Sequence, residues 1–441
     1  MKRLLSLLLC AVLALFCATT AQAAGVSITL TASEYALHYA FDAGAQDPFV
    51  ILEYATPAEK GWMMLYSEDG HFEGDVSLAY SGAGGKTSVA LTSARTTGSI
   101  GKASTTLPKA ADYQKPTGKS NAKVTDFVLT ETPEGFHYAF NAIGTDYMLL
   151  YWRSKEQTVT QPVYPDENGH YEGNVVSELT FARTQFTVQV KSGSGSMKKE
   201  ATVRKGYQAP EAPQRQEGRL SGVTVCIDAG HQENGRFVNE PIGPGLTGST
   251  SGKGGMAQGT KTNRRESIVC LEIGMLLRDE LLRQGANVVM TREDQTTFHT
   301  NIERCEIAEA GGAQIMLRLH CNNSSNRSKR GIQVYGPLNS DYAKAVADAD
   351  TYREMGQKLL DAMKTRVGMT LANSTGMVRL NDHYVGNNWA KMMCFLVEMG
   401  YLSNPAEEYL LVTPVYQQWL AEGMADGVYE IAVARGWVQA Q

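Results

Sequence analysis

The sequence predicts a multidomain chain: two N-terminal all-β repeats of immunoglobulin-like sandwich type, then an α/β domain with a mostly parallel central sheet flanked by helices. Three observations carry that reading. A repeat fills the first half, the repeat alternates apolar and polar residues over short runs, and beyond residue 219 strand-like runs alternate with segments of helical period.

The elements follow in chain order. Lys2 and Arg3 precede an apolar stretch from Leu4 to Ala18 and a small-residue Ala21-Gln22-Ala23 site, the pattern of a secretory signal peptide over residues 1–23. The protein is therefore expected to be secreted, and extracellular or cell-wall associated once the leader is removed. Leu9 precedes Cys10 and Phe16 precedes Cys17, where a lipoprotein anchor needs a small residue. The apolar run is short for a spanning helix, and no later stretch approaches the roughly eighteen apolar residues that spanning needs. No membrane span is expected.

The 441 residues carry a formal charge of −5, whereas a protein that tracks a phosphate backbone is basic. Nucleic-acid binding is set aside on that ground. Beyond the leader the cysteines are Cys226, Cys270, Cys305, Cys321 and Cys394, an odd and scattered set that reads as buried small hydrophobes and not as a disulfide framework.

Leu37-His38-Tyr39-Ala40-Phe41-Asp42 returns as Phe136-His137-Tyr138-Ala139-Phe140-Asn141, and Gly70-His71-Phe72-Glu73-Gly74 returns as Gly169-His170-Tyr171-Glu172-Gly173. These define sister β modules over 24–116 and 121–210. Runs such as Phe49 to Tyr54 and Tyr147 to Trp152, separated by Gly, Asp, Asn and Pro, predict small antiparallel sandwiches. Tyr39, Phe41, Tyr138 and Trp152 read as core and not as platforms for stacking glycans. Contact with the cell wall or another surface partner, or a spacer role, is the expectation for these modules.

Two prolines, Pro210 and Pro213, with Gln, Glu and Arg between Tyr207 and Gly218 mark a linker, placed at 211–219. The α/β domain then occupies 220–437. Val223 to Asp228, Ala286 to Thr291, Gln314 to Leu319, Gly331 to Tyr335 and Met392 to Val397 read as strands; Glu266 to Gln284, Asn301 to Ala310, Asp341 to Val367 and Val415 to Arg435 read as helices.

Sites in such sheets gather beyond the carboxyl ends of the strands. His231 follows the first strand, His320 ends the third, Glu398 ends the last, and Glu266 opens the first helix. Of the eight histidines, four pair across the repeat, while His299 and His383 fall in loops away from strand ends. Two imidazoles and one carboxylate are the usual protein ligands of a catalytic zinc that keeps one position for water.

Val225-Cys226-Ile227-Asp228-Ala229-Gly230-His231, the isolated Glu266, Leu319-His320-Cys321-Asn322 and Glu398-Met399-Gly400-Tyr401-Leu402-Ser403-Asn404 together resemble the N-acetylmuramoyl-L-alanine amidases of the amidase-3 family over about residues 220–436. The resemblance implies Zn2+ bound by His231, Glu266 and His320, a catalytic Glu398, and peptidoglycan as substrate. It implies hydrolysis of the amide between N-acetylmuramic acid and L-alanine, with metal-activated water as nucleophile and Glu398 moving its proton. The alternatives are a zinc peptidase acting on the stem peptide, or a wall-binding surface protein whose C-terminal domain is inactive.

Around that set, Asp228 reads equally as a partner orienting a histidine or as a cap, and Asn322 equally as a substrate-positioning residue or a turn cap. Arg292 and Arg304 read as structural. Cys321 is left out of the site because neighbours on a strand point to opposite faces. Gln232 and Glu233 stand where the family often has two glycines, Arg318 and Leu319 where it often has serine and isoleucine, and Glu309 where an asparagine is usual. The long loop from Gln232 to Arg265 is expected to act as a lid or recognition element.

Overall fold

The computed structural model describes residues 19–22, 26–120, 122–154, 157–176, 185–204, 209–232, 238–250, 255–368 and 377–440. Residues 1–18, most of the expected leader, lie outside the described residues. The chain divides into two compact units, 1–205 and 206–441.

In the N-terminal unit, period-two alternation puts Leu37, Tyr39 and Phe41 inside while His38 and Asp42 face outward. The first copy of the repeat sets Ser27–Ala32, Ala36–Asp42 and His71–Ser77 in one sheet, and the second sets Val124–Thr132, Gly135–Ala142 and His170–Val176 in another. Tyr39 pairs across the strands with Gly74, and Tyr138 with Gly173. A Cβ on those glycines would come within 2.8 and 2.7 Å of the tyrosine hydroxyls, so the repeated glycine makes room for the ring.

The opposing strands of the two copies form one sheet. Phe49–Ala55, Glu59–Tyr66, Gly85–Ser93 and Ser99–Leu107 continue into Met148–Arg153, Gln157–Val163, Gln185–Lys191 and Met197–Arg204 as eight strands. The seam is antiparallel, with Glu59, Lys60 and Gly61 opposite Val159, Thr158 and Gln157. These are equivalent strands of the repeat, so the copies meet about a local twofold and each covers the other's open edge. Glu59 is buried at the seam and accepts from Gln157 Nε2 at 3.2 Å, Ser81 Oγ at 2.8 Å and the Tyr80 amide at 2.9 Å.

Tyr39, Phe41, Tyr138 and Trp152 are all buried. Trp152 is fully enclosed and meets Phe136, Phe186 and, from the first copy, Tyr80 edge-on at ring separations of 6.1, 5.9 and 5.8 Å.

The C-terminal unit is a layered α/β domain. Its strands are β1 (Thr224–Ala229), β2 (Asn287–Met290), β3 (Ile315–Asn322), β4 (Gln333–Gly336), β5 (Met377–Leu380) and β6 (Met393–Tyr401), in the spatial order β2-β1-β3-β6-β4-β5. Neighbours run parallel except β6 with β4. β1, β3 and β6 are buried along nearly their whole length, which is why they read as continuous apolar runs.

The helices are α1 (Glu266–Arg283), α2 (Asn301–Ala310), α3 (Asp341–Val346), α4 (Ala349–Val367), α5 (Val385–Trp389), α6 (Glu407–Leu411) and α7 (Pro414–Ala434). The single helix expected over Asp341 to Val367 is thus two. Asp348 accepts from the Thr351 amide at 2.8 Å and starts α4 afresh, and the preceding Ala347 is extended. Segment 211–219, expected as a linker, is bonded onto the end of α1: Gln216 N donates to Leu282 O at 3.0 Å and Arg215 Nη1 to Gly285 O at 2.9 Å.

Replacing Trp152 with Ala removes a fully buried ring at the junction of both copies and is expected to cost about 3–5 kcal/mol. Denaturant unfolding of the full chain checks it; a loss well below that range would contradict the packing described.

Candidate active site

Parallel pairing aligns the carboxyl ends of the three central strands, with Ala229 opposite Leu319 and His320 opposite Glu398. His231 lies just beyond β1, in the left-handed region at φ 58°. A Cβ on the preceding Gly230 would fall 2.4 Å from Leu319 O and 2.6 Å from the His320 ring, so only glycine lets the two histidine-bearing segments approach. Glu266 arrives from the first residue of α1.

The four residues expected from the sequence come together in one cavity of about 550 Å³. Glu266 Oε1 lies 3.1 Å from His231 Nε2 and 2.9 Å from His320 Nδ1, and the two imidazoles meet edge to face at 4.9 Å. The candidate donor atoms of the trio all lie within 4.8 Å of one another, the one His, Cys, Asp and Glu group among the described residues to do so. Two imidazoles and a carboxylate at this spacing fit a divalent transition metal.

Glu266 is further fixed by two backbone amides, Cys321 N on Oε1 at 3.0 Å and Ala257 N on Oε2 at 2.7 Å. Burial alone would raise its pKa, but the hydrogen bonds and charge of His231 and His320 outweigh that and hold it below the usual carboxylate range. Burial pulls His320 below its ordinary value, favouring the neutral ring a metal requires. Glu398 is driven the other way, pushed up to about 8 by burial and then by the nearby Glu266 charge, and its Oε2 is buried without a hydrogen-bond partner among the described residues.

Beneath the trio sits a buried charge cluster. Asp228 accepts from Arg304 Nη1 on Oδ1, from Thr291 Oγ1 on the same oxygen at 2.8 Å, and from Arg318 Nε on Oδ2 at 2.9 Å. Burial opposes its ionisation, yet the two guanidiniums keep it charged far below the ordinary aspartate value. Asp228 therefore bonds arginines, neither orienting a histidine nor capping a helix. Arg292 donates to Ala229 O at 2.7 Å, Gly230 O at 2.9 Å and Ser267 O at 2.7 Å, clamping the backbone before His231 to the start of α1. Arg304 adds contacts to Ala229 O at 3.0 Å and His231 O at 3.3 Å.

Two residues that the sequence sets aside, His299 and His383, line the same cavity with Tyr384 and Asn322. Neither ends a strand, so topology alone gave no signal for them. Asn322 donates to Gln333 Oε1 at 3.3 Å and accepts from Asn323 N at 2.8 Å, the turn-holding role. Cys321 is buried, its backbone amide serving Glu266.

The described parts of the loop expected as a lid are anchored. Trp389 Nε1 bonds Pro241 O at 2.8 Å, Glu240 accepts from Asn301 Nδ2 at 2.7 Å and Ile302 N at 2.8 Å, and Glu408 accepts from Lys261 N at 2.9 Å and Thr262 N at 3.2 Å. Residues 233–237 and 251–254 lie outside the described residues.

Residues 225–430 match the protein family described as N-acetylmuramoyl-L-alanine amidase. A germination-specific N-acetylmuramoyl-L-alanine amidase of Bacillus subtilis is 26% identical over 231 residues, covering 49% of this chain and 83% of its own length. A probable cell wall amidase, LytH, of Staphylococcus aureus is 26% identical over 218 residues, covering 48% of this chain and 60% of its own. Among solved structures, the amidase Ami1 of Mycobacterium smegmatis aligns with a TM-score of 0.43 at 18% identity, over 49% of this chain and 100% of its own.

Asp228→Asn leaves Arg304 and Arg318 without their carboxylate and is expected to cost about 3–5 kcal/mol at neutral pH. Because the folded pKa of Asp228 is depressed, its contribution is present above the unfolded value of about 4 and is lost as pH falls below it. Urea unfolding of both proteins across pH should show the gap narrowing on acidification; a gap constant with pH would contradict this role.

Proposed function

Because residues 225–430 make this chain a member of the N-acetylmuramoyl-L-alanine amidase family, we propose that it hydrolyses the amide between N-acetylmuramic acid and L-alanine in peptidoglycan, with zinc held by His231, Glu266 and His320 and Glu398 as base and acid. The observation that carries this reading is the convergence of the trio's donor atoms within 4.8 Å in a cavity that also receives Glu398. The leader over 1–23 directs such an enzyme out of the cell, to its wall substrate.

A bound zinc ion supplies Lewis acidity, polarising the amide carbonyl and lowering the pKa of coordinated water from ~16 to roughly 7. The chain's residues do the rest. The ionised Glu266, held by the Ala257 and Cys321 amides, presents its carboxylate to the same point as both imidazoles. Glu398, raised by burial and carrying a free carboxylate oxygen, takes a proton from the attacking water and returns it to the alanine nitrogen as the carbon–nitrogen bond breaks. A dication beside it brings its pKa down from the raised value, toward the range where one group both accepts and releases a proton near neutrality.

Digestion of purified peptidoglycan should release new L-alanine amino termini and free muramic acid carboxyl ends, and a chelator should abolish the reaction. Glu398→Gln is expected to lose on the order of 10²-fold or more in rate while retaining its metal. Mass spectrometry of the fragments and metal analysis of the variant check both. New termini on any other residue, or an undiminished Glu398→Gln enzyme, would sink the proposal.

A further inference from the structure

The order of the strands gives the cavity two distinct sides. In the row β2-β1-β3-β6-β4-β5, His231 lies beyond β1, His320 on β3, Glu398 on β6 and Gln333 on β4, with His320 opposite Glu398 and Glu398 opposite Gln333. The trio is therefore on the β1 side of Glu398, and β4 is on the other. The walls keep that order. Arg304, bonded to Asp228 of β1, donates from Nε to His299 O at 3.2 Å and holds the His299 wall on the β1 side.

Tyr384 forms the opposite wall. Its ring meets that of Tyr335 on β4 at 5.0 Å, tilted by 58°. Asn387 Nδ2 donates to Tyr335 O at 2.8 Å, and the amides of Asn387 and Asn388 donate to Tyr384 O at 3.0 and 3.1 Å, so α5 and Tyr384 are tied to β4. Tyr335 donates its hydroxyl to Gln333 Oε1, and Gln333 Nε2 donates to the Tyr401 hydroxyl at 3.1 Å. Both ends of the Gln333 amide are thus engaged, and the residue opposite Glu398 braces this wall from behind. Leu396, opposite Tyr335 and two residues before Glu398, is the apolar floor in front of it.

We infer that the substrate lies across the strands in one direction, with the muramoyl group on the His299 side and the stem peptide on the β4 side, and that Tyr384 is a specificity-determining residue whose ring and Leu396 enclose the alanine methyl. This rests on the amidase reading for the bond that is cut, and it adds which way round the substrate lies. The nitrogen that leaves must come within hydrogen-bond reach of Glu398, while the acyl carbon lies toward the trio. The alanine carried by that nitrogen then continues toward β4, onto an aromatic face and a leucine. Because Tyr335 backs the ring, a side chain larger than methyl meets a supported wall, and a hydrogen in place of methyl leaves the ring uncovered. One carbon more or less in such a pocket is worth about 10- to 200-fold in discrimination.

The test compares the full zinc-loaded chain with its Tyr384→Ala and Tyr384→Phe variants on muramoyl peptides whose first residue is alanine, glycine or valine. The wild type is expected to favour alanine over both in kcat/KM. Tyr384→Ala should raise KM for the alanine substrate about 10-fold with a smaller change in kcat and should lower the preference for alanine over valine by about 10-fold or more, whereas Tyr384→Phe, which keeps the ring, should keep the wild-type order. The peptide released by the wild-type digest, titrated by calorimetry without turnover, should bind Tyr384→Ala about 10-fold more weakly and His299→Ala as tightly as wild type. A wild type that cuts at alanine, together with a Tyr384→Ala enzyme of unchanged residue preference and peptide affinity, would overturn the orientation alone, as would peptide affinity lost in His299→Ala. A wild type that releases no L-alanine termini would instead remove the amidase reading and this inference with it.

Discussion

Asp228 sits fully buried at the end of β1 and binds Arg304 of α2, Arg318 of β3 and Thr291 beyond β2, so one carboxylate joins four elements directly beneath the candidate metal ligands. The position of His231 depends on that junction. Arg304, paired with Asp228, turns further donors onto Ala229 O and His231 O, while Arg292 takes Ala229 O and Gly230 O. The backbone at His231 is in a left-handed conformation that a β-carbon disfavours, and it persists because its neighbouring carbonyls are held from below.

The same junction accommodates a buried arginine. Arg318 stands two residues before His320, and an unpaired guanidinium buried there would be costly. Asp228 Oδ2 and Asn301 Oδ1 receive it, and Gly386 makes room for it, since a Cβ at 386 would fall 2.3 Å from the guanidinium carbon. An arginine on β3, a glycine at the start of α5 and an asparagine opening α2 are thus one packing solution.

The strand ends of the C-terminal unit were legible because β1, β3 and β6 are buried runs bounded by polar residues, and parallel pairing then puts His231, His320 and Glu398 at one edge. His299 and His383 were not, because they reach the cavity from irregular loops whose course depends on tertiary bonds such as Glu240 to Asn301 and Asn388 Nδ2 to Asp382 O. The break between α3 and α4 was hidden by unbroken helical spacing, and only the Asp348 cap reveals it. β5, α5 and α6 are too short for any period to register. In the β unit the repeat was plain in the sequence, but the seam joining Glu59 to Val159 was not, because edge pairing leaves no local pattern.

Glu266 and Glu398 show how position alone divides two like residues into two roles. Both are buried, and burial raises both. Glu266, facing two imidazoles and two backbone amides, stays ionised and can only hold or ligate. Glu398, on the neighbouring strand opposite His320, has a buried Oε2 without a hydrogen-bond partner among the described residues and is raised further by the charge of Glu266. The donors that fix Glu266 thus act on Glu398 indirectly: they maintain a negative charge nearby, and that charge adds to the larger effect of burial in raising the second carboxylate. A cation bound between them would relieve the same repulsion, so occupancy of the trio and the proton affinity of Glu398 are coupled through one charge.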